Sequence, residues 1–377
     1  MELIAENCQA LLDFIGHACN NADSRQTGIN SFDFVSIENN GRTLSITGSN
    51  GVQSFTRLCL TDSVQAHGEG HICVDASKLF QVVRTLPKGL PVKLKMLKDK
   101  DRAVLSSGRS RLQLKTIDPS NFPKVDILDD TATRFTVPAI NLLGLLNDAA
   151  YAAGKNDSRM YLNSVYLQVK NNMLYAIASD GHRLSANKHP IDGSATDMQI
   201  LLPINAVQVF SRLSESHDTI EVAFTDSRAE FNWGGLVYRT ALVDSKYPDV
   251  MKLMPTTCAS KILTNRIEFI ESLKRLLVMV SGERFPKIKL TYENEQMKFQ
   301  TIITDEEDGL GEDVVTGKLS GDPITYEFGV NPKYLLDALS HMHTEEVELL
   351  FNNANSPCSI VPINNKFSRA IIMPVRV

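Results

Sequence analysis

The chain has 377 residues, 43% of them hydrophobic and 22% charged, with a formal net charge of −5. That composition belongs to folded globular domains, and the length allows two to four of them, each with its own core. No apolar run approaches the ~18 residues that span a bilayer, Glu2 and Glu6 stand where a signal peptide is basic, and the six cysteines lie far apart without a C-x-x-C pair, a pattern expected of reduced thiols in a cytoplasmic protein.

In chain order, Asn7–Cys19 carries Leu11, Leu12, Ile15 and Ala18 at helical spacing. Alternating strands follow at Phe32–Ile37 and Thr43–Thr47 around the turn Asn39-Asn40-Gly41. A helix at Asp75–Leu86 and strands at Val92–Leu97, Arg102–Ser106 and Arg111–Ile117 complete the first third. The middle third has a helix at Ile140–Ala153 and strands at Val165–Val169 and Leu174–Ser179 joined through Asn171-Asn172. Its second helix enters at Pro203, a first-turn position where the missing N–H is harmless, and shows Val207, Phe210 and Leu213 on one face. Thr219–Phe224, Ala229–Trp233 and Val237–Val243 are its closing strands. The last third offers helices at Arg266–Val280 and Pro332–Met342, strands at Lys287–Tyr292 and Met297–Ile303, and strands to the end.

The plan is a repeat. Val74, Leu202 and Val330, each leading into the second helix of its third, are 128 and 128 residues apart. An apolar-Pro step closes each third at Pro123, Pro248 and Pro374. Helices and strands recur together at this period, so the unit is a domain and not a solenoid repeat. The expected architecture is α+β, three tandem copies of a two-helix plus β-sheet domain at 1–128, 129–257 and 258–377.

Residues 78–115 hold eleven basic side chains against Asp99 and Asp101, and residues 293–327 hold ten acidic ones against Lys298 and Lys318. A basic head and an acidic tail suit head-to-tail association, which closes into a ring if the rotation allows; two unrelated charged loops are the alternative. Phosphate-binding glycine motifs and G-x-S-x-G are absent. His67-Gly68-Glu69-Gly70-His71 reads as a turn, because a helical zinc motif does not tolerate the two glycines, and His341 and His343 read as the end of a helix. No metal or cofactor is expected. In Ser179-Asp180-Gly181-His182-Arg183-Leu184 neighbouring residues cannot form a catalytic relay; Asp180-Gly181 turns the chain and Arg183 and Leu184 then face a groove.

Arg159-Met160-Tyr161-Leu162-Asn163, Ser179 to Leu184, Val243-Asp244-Ser245-Lys246-Tyr247-Pro248-Asp249, Gly108-Arg109-Ser110-Arg111 and the terminal Met373-Pro374-Val375-Arg376-Val377 resemble, in order along the whole chain, the bacterial sliding clamp, the β subunit of DNA polymerase III. The resemblance implies a homodimeric six-domain ring around duplex DNA. It implies a processivity factor with no catalytic step, which tethers DNA polymerase III, the clamp loader, other polymerases and repair proteins. The implied partner-peptide groove comprises Leu162, Ser179, Gly181, His182, Arg183, Leu184, Pro248 and Leu253 with Asn331, Tyr334, Ile371, Ile372, Met373, Pro374, Val375 and Arg376. The implied dimer seam sets Lys78, Arg109, Arg111, Leu112 and Leu114 against Met279, Val280, Asp305, Glu306 and Glu307. Ile204-Asn205 replace the family's usual basic pair, so DNA contact is expected to use Arg25, Lys155, Arg159 and Tyr161. The alternatives are a secondary, divergent clamp copy, a protein-binding adaptor that never encircles DNA, and a small-molecule enzyme using Asp180 and His182.

Overall fold

The computed structural model of the chain describes residues 1–25, 27–97, 102–125, 127–129, 131–191, 197–211, 219–250, 254, 257–303, 310–365 and 367–376. One order of elements occurs three times. The first round is β1 (Glu2–Ala5), α1 (Cys8–Asn21), β2 (Phe34–Asn39), β3 (Leu44–Ser49), β4 (Gln53–Leu58), β5 (Val64–His67), β6 (Gly70–Asp75), α2 (Ala76–Thr85), β7 (Val92–Met96), β8 (Arg102–Ser107) and β9 (Ser110–Ile117). The second is β10 (Thr133–Pro138), α3 (Ala139–Ala150), β11 (Ser164–Lys170), β12 (Met173–Ser179), β13 (Arg183–Pro190), β14 (Met198–Pro203), α4 (Ile204–Ser211), β15 (Thr219–Phe224), β16 (Arg228–Trp233) and β17 (Leu236–Ala241). The third is β18 (Ser260–Asn265), α5 (Arg266–Met279), β19 (Lys287–Glu293), β20 (Gln296–Ile302), β21 (Glu312–Gly321), β22 (Phe328–Val330), α6 (Pro332–Ser340), β23 (Glu346–Phe351), β24 (Cys358–Pro362) and β25 (Ser368–Ile372). Leaving aside β5, each round is strand, helix, four strands, helix, three strands.

Compactness follows the sheets and not the rounds. The chain forms two units, residues 1–139 with 216–242 and residues 140–215 with 243–377. The first holds an antiparallel sheet ordered β10-β15-β16-β17-β4-β3-β2-β6-β9-β8-β7-β1-β5. The second holds β14-β11-β12-β13-β25-β24-β23-β18-β21-β20-β19-β22. The middle round is therefore shared. Its β17 pairs with β4 of the first round, and its β13 pairs with β25 of the last.

The helices bury apolar stripes on these sheets. In the first unit Leu11, Phe14, Ile15 and Ala18 of α1 and Leu79 and Val83 of α2 meet Leu3, Val35 and Ile46. In the second, Phe269, Leu273 and Leu276 of α5 and Leu335 and Leu339 of α6 pack with Ile288, Phe299 and Phe351. Asn7, Asp75, Asn265 and Asn331 cap the N-termini of α1, α2, α5 and α6 by accepting backbone N–H groups. Asn171 and Asn172 both take positive φ (52° and 56°), which a two-residue hairpin turn demands. One helix entry differs from the sequence reading: Pro203 ends β14 and α4 begins at Ile204. Ladder pairing of Ser164 with Pro203 keeps that residue extended. Val207 is buried, while Leu213 lies outside the described residues.

Candidate functional site

The second unit brings most of the expected groove residues together. Gly181 turns the chain at φ +90°, a value a side chain resists. Ser179 Oγ accepts the Gly181 N–H at 3.1 Å and donates to the Arg183 carbonyl at 2.7 Å. Asp180 Oδ1 accepts the N–H groups of His182 (2.9 Å) and Arg183 (3.0 Å). The turn is thus held by its own side chains, and β13 starts at Arg183.

The C-terminal segment docks on this turn. Met373 N–H donates to the His182 carbonyl at 2.9 Å, and Val375 N–H donates to the Gly329 carbonyl at 2.9 Å. β25 leads into it, with Ile372 opposite Arg183 and Ile371 opposite Leu184. Leu184, Ile371, Ile177 and Val250 form an apolar cluster, walled by Tyr166, Tyr247, Ala186 and Met254. Tyr166 and Tyr247 stack at 4.9 Å, and Tyr161 meets Tyr247 edge-on at 5.9 Å. Met373 keeps 42% of its surface exposed beside this cluster's strand, and Pro248 and Arg376 are also exposed.

Arg183 ties the turn to α6. Its guanidinium donates to Asp180 Oδ2 (3.0 Å), Asp337 Oδ2 (2.6 Å) and the Tyr151 carbonyl (2.7 Å), and lies 4.7 Å from the Tyr334 ring centroid. His182 stacks on Tyr334 from the other side of the turn, with centroids 6.3 Å apart. Burial, with Asp180 nearby, holds the Tyr334 phenol above its usual range, and burial pushes the Tyr151 phenol up to about 12. Asn331 caps α6 and presents Tyr334 one turn on. Leu162 is buried in the 3-10 turn Met160–Asn163, its carbonyl accepting the Gly154 N–H. Leu253 lies outside the described residues.

Sequence reasoning missed Asp337, Tyr151, Tyr247, Ile177 and Val250. Asp337 carried a signal, standing one helical turn after Tyr334 on the same face. Tyr151 carried none: it meets Arg183 through its backbone carbonyl and through its ring, whose centroid lies 5.5 Å from the guanidinium, and both contacts exist only once the chain is folded.

The expected seam residues divide. Arg109, Arg111 and Lys78 are exposed, and Leu112 is 39% exposed. Leu114 is only 2% exposed and belongs to the first unit's core, so it is not a surface residue. Strand alternation turns it inward with Thr116. Val280 is likewise 2% exposed, because helical spacing sets it behind Leu276, whereas Met279 and Val278 of α5 face outward. Leu310 and Val314 join that exposed apolar set. Asp305, Glu306 and Glu307 lie outside the described residues. Beyond them Glu312–Gly321, where the sequence predicts no element, is strand β21.

Both regions present open backbone. Residues 110–115 of β9 pair with β8 on one side, and only Thr116 and Ile117 pair with β6. Residues 312–316 of β21 pair with β20, and 317–321 with β18. Each strand therefore leaves a stretch with one ladder edge unfilled among the described residues. Such an edge is a template for another strand.

Of the residues expected at DNA, Arg25 and Arg159 share one arrangement. Each donates its N–H and guanidinium to the aspartate two positions before it, Asp23 and Asp157, at 2.7–3.0 Å. These hydrogen bonds hold the Asp157 carboxyl down at about 2. Arg159 also flanks the groove turn, since a carbon placed on Gly181 would meet its Nη2 at 3.4 Å. Lys155 is exposed and Tyr161 half-buried.

Family models of the DNA polymerase III beta subunit match the chain end to end: its N-terminal domain at residues 1–126, its central domain at 136–249 and its C-terminal domain at 251–376. The chain belongs to the bacterial sliding clamp family. The beta sliding clamp of Proteus mirabilis is 28% identical over 339 residues, 89% of each chain. The solved DNA polymerase III subunit beta of Pseudomonas aeruginosa superposes with a TM-score of 0.91 at 24% identity over all of both chains. The DNA polymerase sliding clamp of Bacillus subtilis gives 0.92 at 21% identity, over 100% of this chain and 99% of that one. The repeated α+β rounds of this clamp are thus those of its family. No helix among its described residues is long and apolar enough to cross a membrane.

Proposed function

We infer that this chain is a DNA sliding clamp, the processivity factor that holds a DNA polymerase on duplex DNA. The observation that carries the reading is the threefold round of elements along the whole chain, matched from end to end by the three beta-subunit domains. We propose domains at 1–128, 129–257 and 258–377, and action by encirclement with no catalytic step, in the cytoplasm.

The ring would close between two copies. The free edge of β9, with Arg109, Arg111 and Leu112, would pair with the free edge of β21 in the second copy, where Glu312, Val314 and the neighbouring Val278 and Met279 supply opposite charge and apolar surface. Backbone hydrogen bonds would give the register, and apolar burial most of the affinity. Partner polymerases, the clamp loader and repair proteins would insert a short peptide into the second unit's groove. Its apolar side chains would meet Leu184, Ile371 and Val250, and the Met373–Arg376 tail would border it.

Retention on DNA would then be topological. A net charge of −5 and carboxylate-paired arginines leave few phosphate contacts. Protein loaded on nicked circular DNA is expected to survive a moderate salt wash and to leave once a nuclease linearises the circle. A protein held by Lys and Arg contacts would respond to salt and ignore the cut. Equal retention on circular and linear DNA of one length would overturn encirclement in favour of an adaptor.

A further inference from the structure

The frame that holds the groove turn occurs a second time, in the first unit. Ser49 Oγ donates to the Gln53 carbonyl at 3.0 Å and accepts the Gly51 N–H at 3.2 Å, as Ser179 does with Arg183 and Gly181. Asn50 Oδ1 accepts the N–H groups of Val52 (3.1 Å) and Gln53 (2.7 Å), in the place of Asp180. Gly51 has φ +86° against +90° at Gly181. Ala241 N–H donates to the Val52 carbonyl at 3.0 Å, as Met373 does to His182.

The backbones match and the side chains do not. β4 pairs with β17 so that Ser54 stands opposite Arg239, where the other unit sets Leu184 opposite Ile371. A cavity of about 60 Å³ opens here, lined among others by Ser54, Arg239, Arg228, Lys124, Gly51 and Phe32. Ser54 is 4% exposed and its hydroxyl has no hydrogen-bond partner among the described residues. A buried hydroxyl without a partner is unfavourable unless something else supplies one. Arg239 donates through Nε to Glu230 Oε2 at 2.6 Å, which counters its charge but leaves its Nη groups as hydrogen-bond donors, and Lys124 adds positive charge beyond that pair. The space is too small for a Leu or Phe anchor and suits a group of a few atoms that accepts hydrogen bonds. A carboxylate meets both conditions, being an acceptor only and negatively charged.

We propose that the Ser49–Gln53 turn is a second docking site, which takes an acidic peptide and receives one of its carboxylates against Ser54 Oγ, Arg239 and Lys124. That the ligand is a peptide rests on reading the equivalent turn in the other unit as a peptide groove; the preference for a carboxylate rests on the cavity itself. The fluorescence polarisation of labelled hexaglutamate with the full-length protein at ~150 mM salt tests it. Ser54→Leu fills the cavity with the side chain that the other unit uses at this place, and is expected to weaken binding at least ~10-fold. Lys124→Ala, an exposed change with no fold to disturb, is expected to weaken it about 3-fold, the usual strength of an exposed ion pair. Truncation after Ile372 should leave hexaglutamate binding unchanged while removing that of a peptide with Leu and Phe anchors. No binding of hexaglutamate by the unmutated protein, or equal binding by the Lys124 and Ser54 variants, overturns the proposal. Failure of the Leu- and Phe-anchored peptide alone would count only against the groove in the second unit.

Discussion

Arg183 Nη1 donates to Asp337 Oδ2 at 2.6 Å, fastening the first residue of a middle-round strand to a last-round helix. The same guanidinium reaches Asp180 and the Tyr151 carbonyl and covers the Tyr334 ring. Only a planar fork with several fixed donors serves all of these at once. The Arg183 side chain is 10% exposed, so water cannot replace the lost contacts cheaply. Arg183→Lys is expected to lower unfolding stability by about 1.5–3 kcal/mol, the usual range for hydrogen bonds to charged groups. Chemical denaturation checks this, and an unchanged midpoint would show that the network does not hold the unit together.

Removal of the last five residues should separate the groove from the seam. Among the described residues the tail hangs on two backbone hydrogen bonds, to the carbonyls of His182 and Gly329. It contributes no residue to either open strand edge. The truncated protein is therefore expected to lose partner-peptide binding by fluorescence polarisation and to keep the sedimentation coefficient of the full chain. Unchanged peptide affinity would put the groove elsewhere.

The seam prediction follows from exposure. Val278, at 71%, is the most open apolar side chain of α5 and lies beside Met279. Val278→Asp is expected to shift the dimer toward monomer more strongly than Arg109→Glu with Arg111→Glu. Exposed ion pairs contribute only about 0–1 kcal/mol each, whereas burying a Val side chain contributes about 1.5–3 kcal/mol. Sedimentation equilibrium orders the two variants. A monomeric unmutated protein at micromolar concentration would remove the seam altogether.

The helices and hairpins were legible because their signals are local. Apolar spacing marked α1, and paired asparagines marked the β11–β12 turn. The 128-residue spacing exposed the repeat. Strand pairing across rounds was not legible, since nothing in β17 names β4 as its neighbour. For the same reason the division into two compact units could not be read. Leu114 and Val280 were placed at the surface because resemblance gives a segment and not a face. Strand alternation decides the first, and the helical spacing of Leu276 and Val280 decides the second. β21 was hidden because its Glu312 and Asp313 continue an acidic run, and the alternation begins only at Val314. Asp337 stood in view one turn beyond Tyr334, whereas Tyr151 became visible only when Arg183 had a position in space.

On the proposal that Arg159 meets DNA, Asp157 should restrain it there. Its carboxylate takes the Arg159 backbone N–H at 2.9 Å, Nε at 3.0 Å and Nη2 at 2.9 Å, which neutralises the guanidinium locally. The hydrogen bonds depress the Asp157 carboxyl from 3.8 to about 2. A depressed carboxyl contributes its interaction above the ordinary value and loses it as pH falls through the folded one. The pair is therefore complete at every pH above about 4, and Arg159 should show no pH dependence in DNA binding near neutrality. Asp157→Asn keeps the turn's shape and removes the charge. That variant is expected to gain about one phosphate contact, which steepens the slope of log affinity against log salt by about 0.9. Arg159→Ala in the unmutated background should change the slope far less, because the charge it removes is already countered. The measurement is a salt titration of binding to a short linear duplex, where encirclement contributes nothing. An Asp157→Asn slope equal to that of the unmutated protein would show that Arg159 does not face DNA and serves the groove turn beside Gly181 instead.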